Sequence, residues 1–299
     1  MPIYKLCDWI DKDKILSIAT LSKNINAIEL LKENPDKIDW YYLSGNPNAI
    51  DILIENEDKI YWNIISSNPN AYPIIKNNKD KINWCGMTYN YNLNNYKLLL
   101  ENYDKINWYT IAENPFAIDL IKNSPNNYWY YYKYLSRNTN PEAMELLRDN
   151  KIHIDWNFLS QNPCLEAIKL LEENPNKINW IYLSLNPNAI KLLENNPEKI
   201  DWCNLSLNPN AIKLLEKNQD KIEWYYLSKN KNAIKLLKDN PEKIEWNFLA
   251  SNPSIFELDY EKMRINNLDM YEDIIKEVMK PSRVFKNPDY DYLEELFGD

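Results

Sequence analysis

The chain has 299 residues, a formal net charge of −9 and an isoelectric point near 5.0, with Arg only at 137, 148, 264 and 283, so the cationic footprint that holds phosphate backbones is missing. Three glycines and one histidine exclude a Gly-rich phosphate loop and a His-based metal cluster, and the four cysteines (Cys7, Cys85, Cys164, Cys203) form no C-x-x-C pair and read as reduced small hydrophobes. Without a long apolar run or a basic-then-apolar leader, a soluble cytoplasmic protein is expected, with no membrane span, metal or cofactor.

In chain order, residues 1–17 read as a worn unit, with Trp9-Ile10 and Lys14-Ile15-Leu16 covering the open end of a repeat array. From residue 18 one unit recurs. Its anchor falls at Ile18, Trp40, Trp62, Trp84, Trp108, Tyr132, Trp156, Trp180, Trp202, Trp224 and Trp246, in steps of 22 except for four steps of 24 between Trp84 and Trp180. A fixed period of this length marks a repeat array, and terminal units are expected to be atypical.

Within a unit, the Asp or Asn before the anchor (Asp39, Asn83, Asn107, Asp155, Asn179, Asp201) is a good N-cap, because its short side chain accepts the free N–H groups of the next turn. The anchor then opens a first helix of about two turns, flanked by staple positions such as Ile178 with Leu183. Asn-Pro comes next, where Asn46, Asn186 or Asn208 is expected to cap a second helix with Pro at its first position. In that helix Ala189, Ile190, Leu192 and Leu193 fall on one side and Lys191 on the other, an amphipathic pattern. A further Asn-Pro, as at Asn196-Pro197, stops it and turns the chain back. Leucine-rich repeats share the length but need an apolar residue five places after the anchor, where this chain has Gly45, Ser67, Glu113, Arg137, Gln161 and Lys229.

A lone unit of this size buries too little apolar surface to offset the entropy of ordering it, so neighbours must stack. The expected fold is all-α: an α-solenoid of about eleven two-helix repeats over 18–253, with an N-terminal cap at 1–17 and a C-terminal cap at 254–299. The second cap includes an amphipathic segment from Met270 to Met279 and a last helix-like stretch from Tyr290 to Phe297.

The Asn-Pro-Asn-Ala-Ile, Leu-Leu, Lys-Ile-Asp-Trp and Leu-Ser elements, with the Phe256 to Tyr260 and Pro281-Ser282-Arg283 ending, resemble a tandem-repeat family multiplied in the genomes of mimivirus-like giant DNA viruses. The likeness spans nearly the whole chain; Ile18 and Tyr132 depart from its Trp anchor. It implies a viral protein of a paralogous set, in the host cytoplasm or the virion, and carries over no activity and no functional residues.

No catalytic constellation is visible. Asp and Glu recur with the period as caps and solvated faces rather than as an acid/base pair, and His153 stands where other units have Lys, three before the anchor. The expected function is non-enzymatic: a repeat scaffold that binds a protein partner along its extended surface. A structural component of a virus particle and a single-stranded RNA reader are the alternatives, the second opposed by the acidic balance. Three sets of residues are candidates for partner binding. In the lengthened centre, Tyr128, Trp129 and Tyr131 form an aromatic cluster of hot-spot composition, with Trp129 in a lysine register. His153 belongs to the same register. Opposite the apolar stripe, Glu29, Asp51, Asp119 and Glu145 give way to Lys169, Lys191, Lys213 and Lys235, which predicts a ridge acidic toward the N-terminal half and basic toward the C-terminal half.

Overall fold

The computed structural model describes residues 2–16, 19–123 and 131–280. Ile18, Tyr128, Trp129 and the stretch Tyr290 to Phe297 lie outside the described residues. The fold is the all-α repeat array: a typical unit contributes a short first helix opened by the anchor, a second helix, and a 3-10 turn back to the next anchor, while in the last unit the 3-10 helix Pro253–Ile255 and a strand follow Trp246–Leu249 in place of the second helix. Trp40–Ser44, Ile50–Glu55 and Glu57–Lys59 are one such set. In the first unit the 3-10 helix Ala19–Lys23 takes the place of the first helix.

Every N-cap expected before an anchor forms. Asp39 accepts from Tyr42 N–H, Asn83 from Gly86 N–H, Asp201 from Asn204 N–H, and Asn107, Asp155 and Asn179 each from two backbone N–H groups. The first helices are shorter than expected, at four to six residues. Most are locked by a serine at the end, replaced by Thr88, Ala112 and Ala250 in three units: Ser184 Oγ donates to Trp180 O at 2.8 Å and accepts the N–H of Asp201, the next unit's cap, at 3.0 Å. The core is a continuous file of fully buried Leu43, Leu53, Ile65, Ile75 and their counterparts along the array, with a buried alanine such as Ala49, Ala71, Ala189 or Ala211 before the second helix of each regular unit.

The asparagines of the Asn-Pro corners do something other than cap the second helix. In the regular units that helix starts after an alanine (Ala49, Ala189, Ala211) with no side-chain cap. Asn46, Asn186 and Asn208 each accept the N–H two residues on and send Nδ2 to two backbone carbonyls of the preceding unit. For Asn208 these are Ser184 O at 3.0 Å and Asn186 O at 2.9 Å, with the Asn210 N–H accepted at 3.0 Å. The side chain is therefore consumed in stitching units together. A second file does the same at lower burial, as in Asn210 Nδ2 to Pro187 O. A third, including Asn196, closes the second helix by bonding back to the carbonyl four residues earlier.

The two terminal segments cap each other. The strand β1 (Tyr4–Leu6) pairs antiparallel with β2 (Phe256–Leu258), Lys5 facing Glu257, so the array is closed into a ring. The closure repeats the contacts of every other step. Asn24 Nδ2 donates to Ala250 O at 2.9 Å and Asn252 O at 2.8 Å, as Asn46 does to Ser22 O and Asn24 O. Asn26 reaches Pro253 O as Asn48 reaches Ile25 O. Lys14 lies over Trp246 as Lys59 lies over Trp40. After β2 come the helices Tyr260–Asn266 and Leu268–Val278, the second overlapping the expected amphipathic segment. No helix among the described residues is long and apolar enough to cross a membrane.

Candidate partner-binding surfaces

Successive first helices pack more closely on each other than successive second helices do, which puts the first helices on the inner side of the turn. Their exposed positions, one and two after the anchor, therefore face the axis of the ring. Tyr41, Tyr109 and Tyr225, each one after its anchor, are half-exposed there, and so is Tyr61, which stands one before the anchor Trp62 and packs against Tyr41. Side chains on this face touch from unit to unit: Tyr41 packs edge-on to Tyr61 at 5.5 Å and Tyr109 to Tyr134 at 5.8 Å, while Asn179 bonds Asn157 at 2.7 Å. The result is an inner belt of aromatic rings and amides. Its fixed charges are of both signs: the helix-capping carboxylates Asp39, Asp155 and Asp201, and the cations Lys23, Lys133, Arg137 and Lys229, which lie over Tyr42, Phe158 and Phe248.

The lysines three before the anchors have a role that the sequence hid. Lys59, Lys81, Lys199, Lys221 and Lys243 each lie 4.5–4.7 Å over the anchor ring of the preceding unit. His153 takes this place at Tyr132, ring to ring at 5.9 Å. It is half-buried, so its first duty is to the inter-unit contact rather than to a partner.

Lys191, Lys213 and Lys235 are exposed at one register of successive second helices, on the outer face, and make no ion pair with described residues. The acidic half of the expected ridge is less uniform. Lys97 occupies the same register of Leu93–Glu101, and Glu29 is occupied by Lys32 and Lys262, each at 3.1 Å. In a ring, moreover, the polarity runs across the molecule rather than from end to end.

The four lengthened units also diverge internally. In three of them the extra residues extend the second helix to eight or nine residues, with Asn92 and Asn140 acting as true N-caps. In the fourth, anchored at Trp108, the second helix Ile118–Lys122 keeps five residues; Tyr131 opens the helix Tyr131–Leu135 of the next unit, and Tyr128 and Trp129, the rest of that cluster, fall outside the described residues. The asparagine file breaks once here: Asn114 Nδ2 has no partner, nor has Asn90 Oδ1. Asn95, which replaces the buried alanine, has neither amide atom satisfied. Next to the break stands Glu113, the only buried carboxylate among the described residues, held by Arg137 at 3.3 Å. Burial pushes the Glu113 carboxyl up, against the pull of Arg137. Burial, then the charge of Glu113, pushes the Tyr91 phenol up to about 12. Arg137 also stacks on Phe158 at 3.6 Å, so this ionic pair is built into the belt. No group of His, Cys, Asp or Glu among the described residues is arranged to hold a metal ion.

Comparison with family models, curated proteins and solved structures gives no match to the chain.

Proposed function

We propose that the chain is a non-enzymatic ring scaffold that binds other proteins through the inner belt. The observation that supports this reading is the set of half-exposed tyrosines Tyr41, Tyr61, Tyr109 and Tyr225, with Tyr41 and Tyr109 on short helices capped by Asp39 and Asn107. Rigid aromatic side chains give large contact area at low entropic cost once a partner excludes water. The net charge of −9 opposes a phosphate backbone, which favours a protein over RNA.

The resemblance to giant-virus repeats makes infected-cell extract the place to seek the partner. The test is a pulldown with identification, followed by footprinting of the purified pair: Tyr41, Tyr61 and Tyr109 become protected if the belt is the interface. Protection confined to the outer lysines, or salt-sensitive retention of single-stranded RNA instead, contradicts the reading. Recovery only as an abundant, self-associated species in purified particles favours a structural component of the virion.

A further inference from the structure

The steps of the ring are not joined equally. At every step but one, the corner asparagine sends Nδ2 to carbonyls of the preceding unit. Three further devices recur: the serine lock, the second asparagine file and the lysine over the preceding anchor ring. Between the units of Trp84 and Trp108 all four are missing. Asn114 Nδ2 has no partner. Thr88 Oγ1 turns back to Cys85 O at 2.6 Å and accepts nothing from the N–H of Asn107. Phe116 stands where the second file has asparagine, and Lys105 pairs with Asp104 at 3.0 Å instead of covering Trp84.

Among the described residues, the side-chain hydrogen bonds left across this step are the contact between the Thr88 and Thr110 hydroxyls and a long bond from Asn107 Nδ2 to Cys85 Sγ, at 3.7 Å. The Trp84 unit also buries Asn90 Oδ1 and both amide atoms of Asn95 without partners. Buried polar atoms left unpaired are costly, so a movement that lets water reach them recovers part of that cost.

The ring can part without breaking the backbone only where the last unit meets the first. That step is held by the short β1–β2 pair, by the amides of Asn24 and Asn26, and by ion pairs of Lys5 with Glu257 at 3.3 Å and Lys262 with Glu29 at 3.1 Å. Ion pairs that reach solvent are weak and are screened by salt.

We propose that the ring is a clamp, with the terminal step as its latch and the step between Trp84 and Trp108 as its pivot. The first four units swing there against the other seven. Opening on this pivot would give a partner sideways entry to the inner belt. It is nevertheless a property of the chain alone, measured without a partner, so it does not rest on the belt reading.

The test measures distances by double electron–electron resonance between spin labels on a genetically encoded ketone residue, which leaves the cysteines untouched. Lys76, Glu145, Lys213 and Lys235 carry the labels; all are exposed, on second helices or at the end of one. The latch is weakened in one preparation by Lys5→Glu with Lys262→Glu, and in a second by about 1 M salt on the unaltered sequence. Between Lys76 and Lys235, across the latch, a second population is expected, longer by roughly one helix step, about 10 Å, or more. Between Lys76 and Glu145 the distance should shorten, because the outer face closes at a pivot as the latch parts. Between Glu145 and Lys213, within the larger arm, it should not change.

Phe116→Asn offers an amide to Tyr91 O, as Asn140 does to Pro115 O, and should cut the open population about three- to fivefold. A single closed population in both preparations overturns the clamp. Lengthening across the latch with no change between Lys76 and Glu145 means frayed ends, and a change between Glu145 and Lys213 means bending spread round the ring; either overturns the pivot. So does an open population indifferent to Phe116→Asn.

Discussion

The asparagine file makes an internal comparison possible, because Asn208 and Asn114 hold equivalent positions with different bonding. Both are fully buried. Asn208 makes three hydrogen bonds, to Ser184 O, Asn186 O and Asn210 N. Asn114 makes one, accepting Phe116 N–H at 3.0 Å, and its Nδ2 has no partner. At about 1 kcal/mol net per bond, with the added cost of leaving a buried N–H unmet, Asn208→Ala should lower stability by about 3–4 kcal/mol. Asn114→Ala loses one bond and sheds an unpaired donor, so about 1 kcal/mol is expected. Urea unfolding followed by far-ultraviolet circular dichroism and by tryptophan fluorescence measures both, the coincidence of the two probes serving as the check on cooperativity. Equal losses in the two variants, within about 0.5 kcal/mol, would refute the idea that the inter-unit bonds of this file hold the array together.

Asn95→Ala restores the residue that other units bury and removes two unsatisfied amide atoms; it should raise the urea midpoint, by the equivalent of about 1–3 kcal/mol, and a fall would show that the amide has a partner worth keeping. The raised Tyr91 phenol gives a pH signature: between pH 10 and about 12 the unfolded chain releases a proton that the fold retains, so this group's contribution to stability falls as pH rises through that window. Tyr91→Phe should flatten that part of the stability curve, and an unchanged slope contradicts the assignment. His153→Lys puts the common residue back over Tyr132 and should change stability by less than about 0.5 kcal/mol; selective loss of partner binding would instead show direct contact through the imidazole.

The repeat spacing, the N-caps from Asp39 to Asp201 and the buried Leu and Ile file were legible because they rest on local rules: short acceptors before helices, and apolar residues at helical intervals. What sequence hid was mostly non-local. The buried Asn208 and the exposed Asn210 look alike in an Asn-Pro-Asn string, yet their amides reach a unit 22 or more residues away. Lys199 and its equivalents looked like solvent positions because their partners are rings of the previous unit. Closure was hidden for the same reason: nothing in Tyr4-Lys5-Leu6 names Phe256-Glu257-Leu258 as its mate. A signal was nevertheless present in Asn24 and Asn26, which retain the inter-unit asparagines in a first unit that would have no predecessor if the array were open. The inner belt could be located only once the curvature was known.

Zero-length carbodiimide cross-linking of the native protein tests ring closure most directly. Lys5 Nζ lies 3.3 Å from Glu257, and Lys262 Nζ 3.1 Å from Glu29; both pairs bridge the two ends of the chain. Lys32 with Glu29, also at 3.1 Å, lies within one unit and serves as the internal control. At about 9–10 Å per helix step, an open array of eleven units would hold its ends roughly 100 Å apart. A closed ring predicts that peptides joining Lys5 to Glu257 and Lys262 to Glu29 are recovered from the monomer band alongside the control. Recovery of the Lys32–Glu29 link without either end-to-end link would contradict closure.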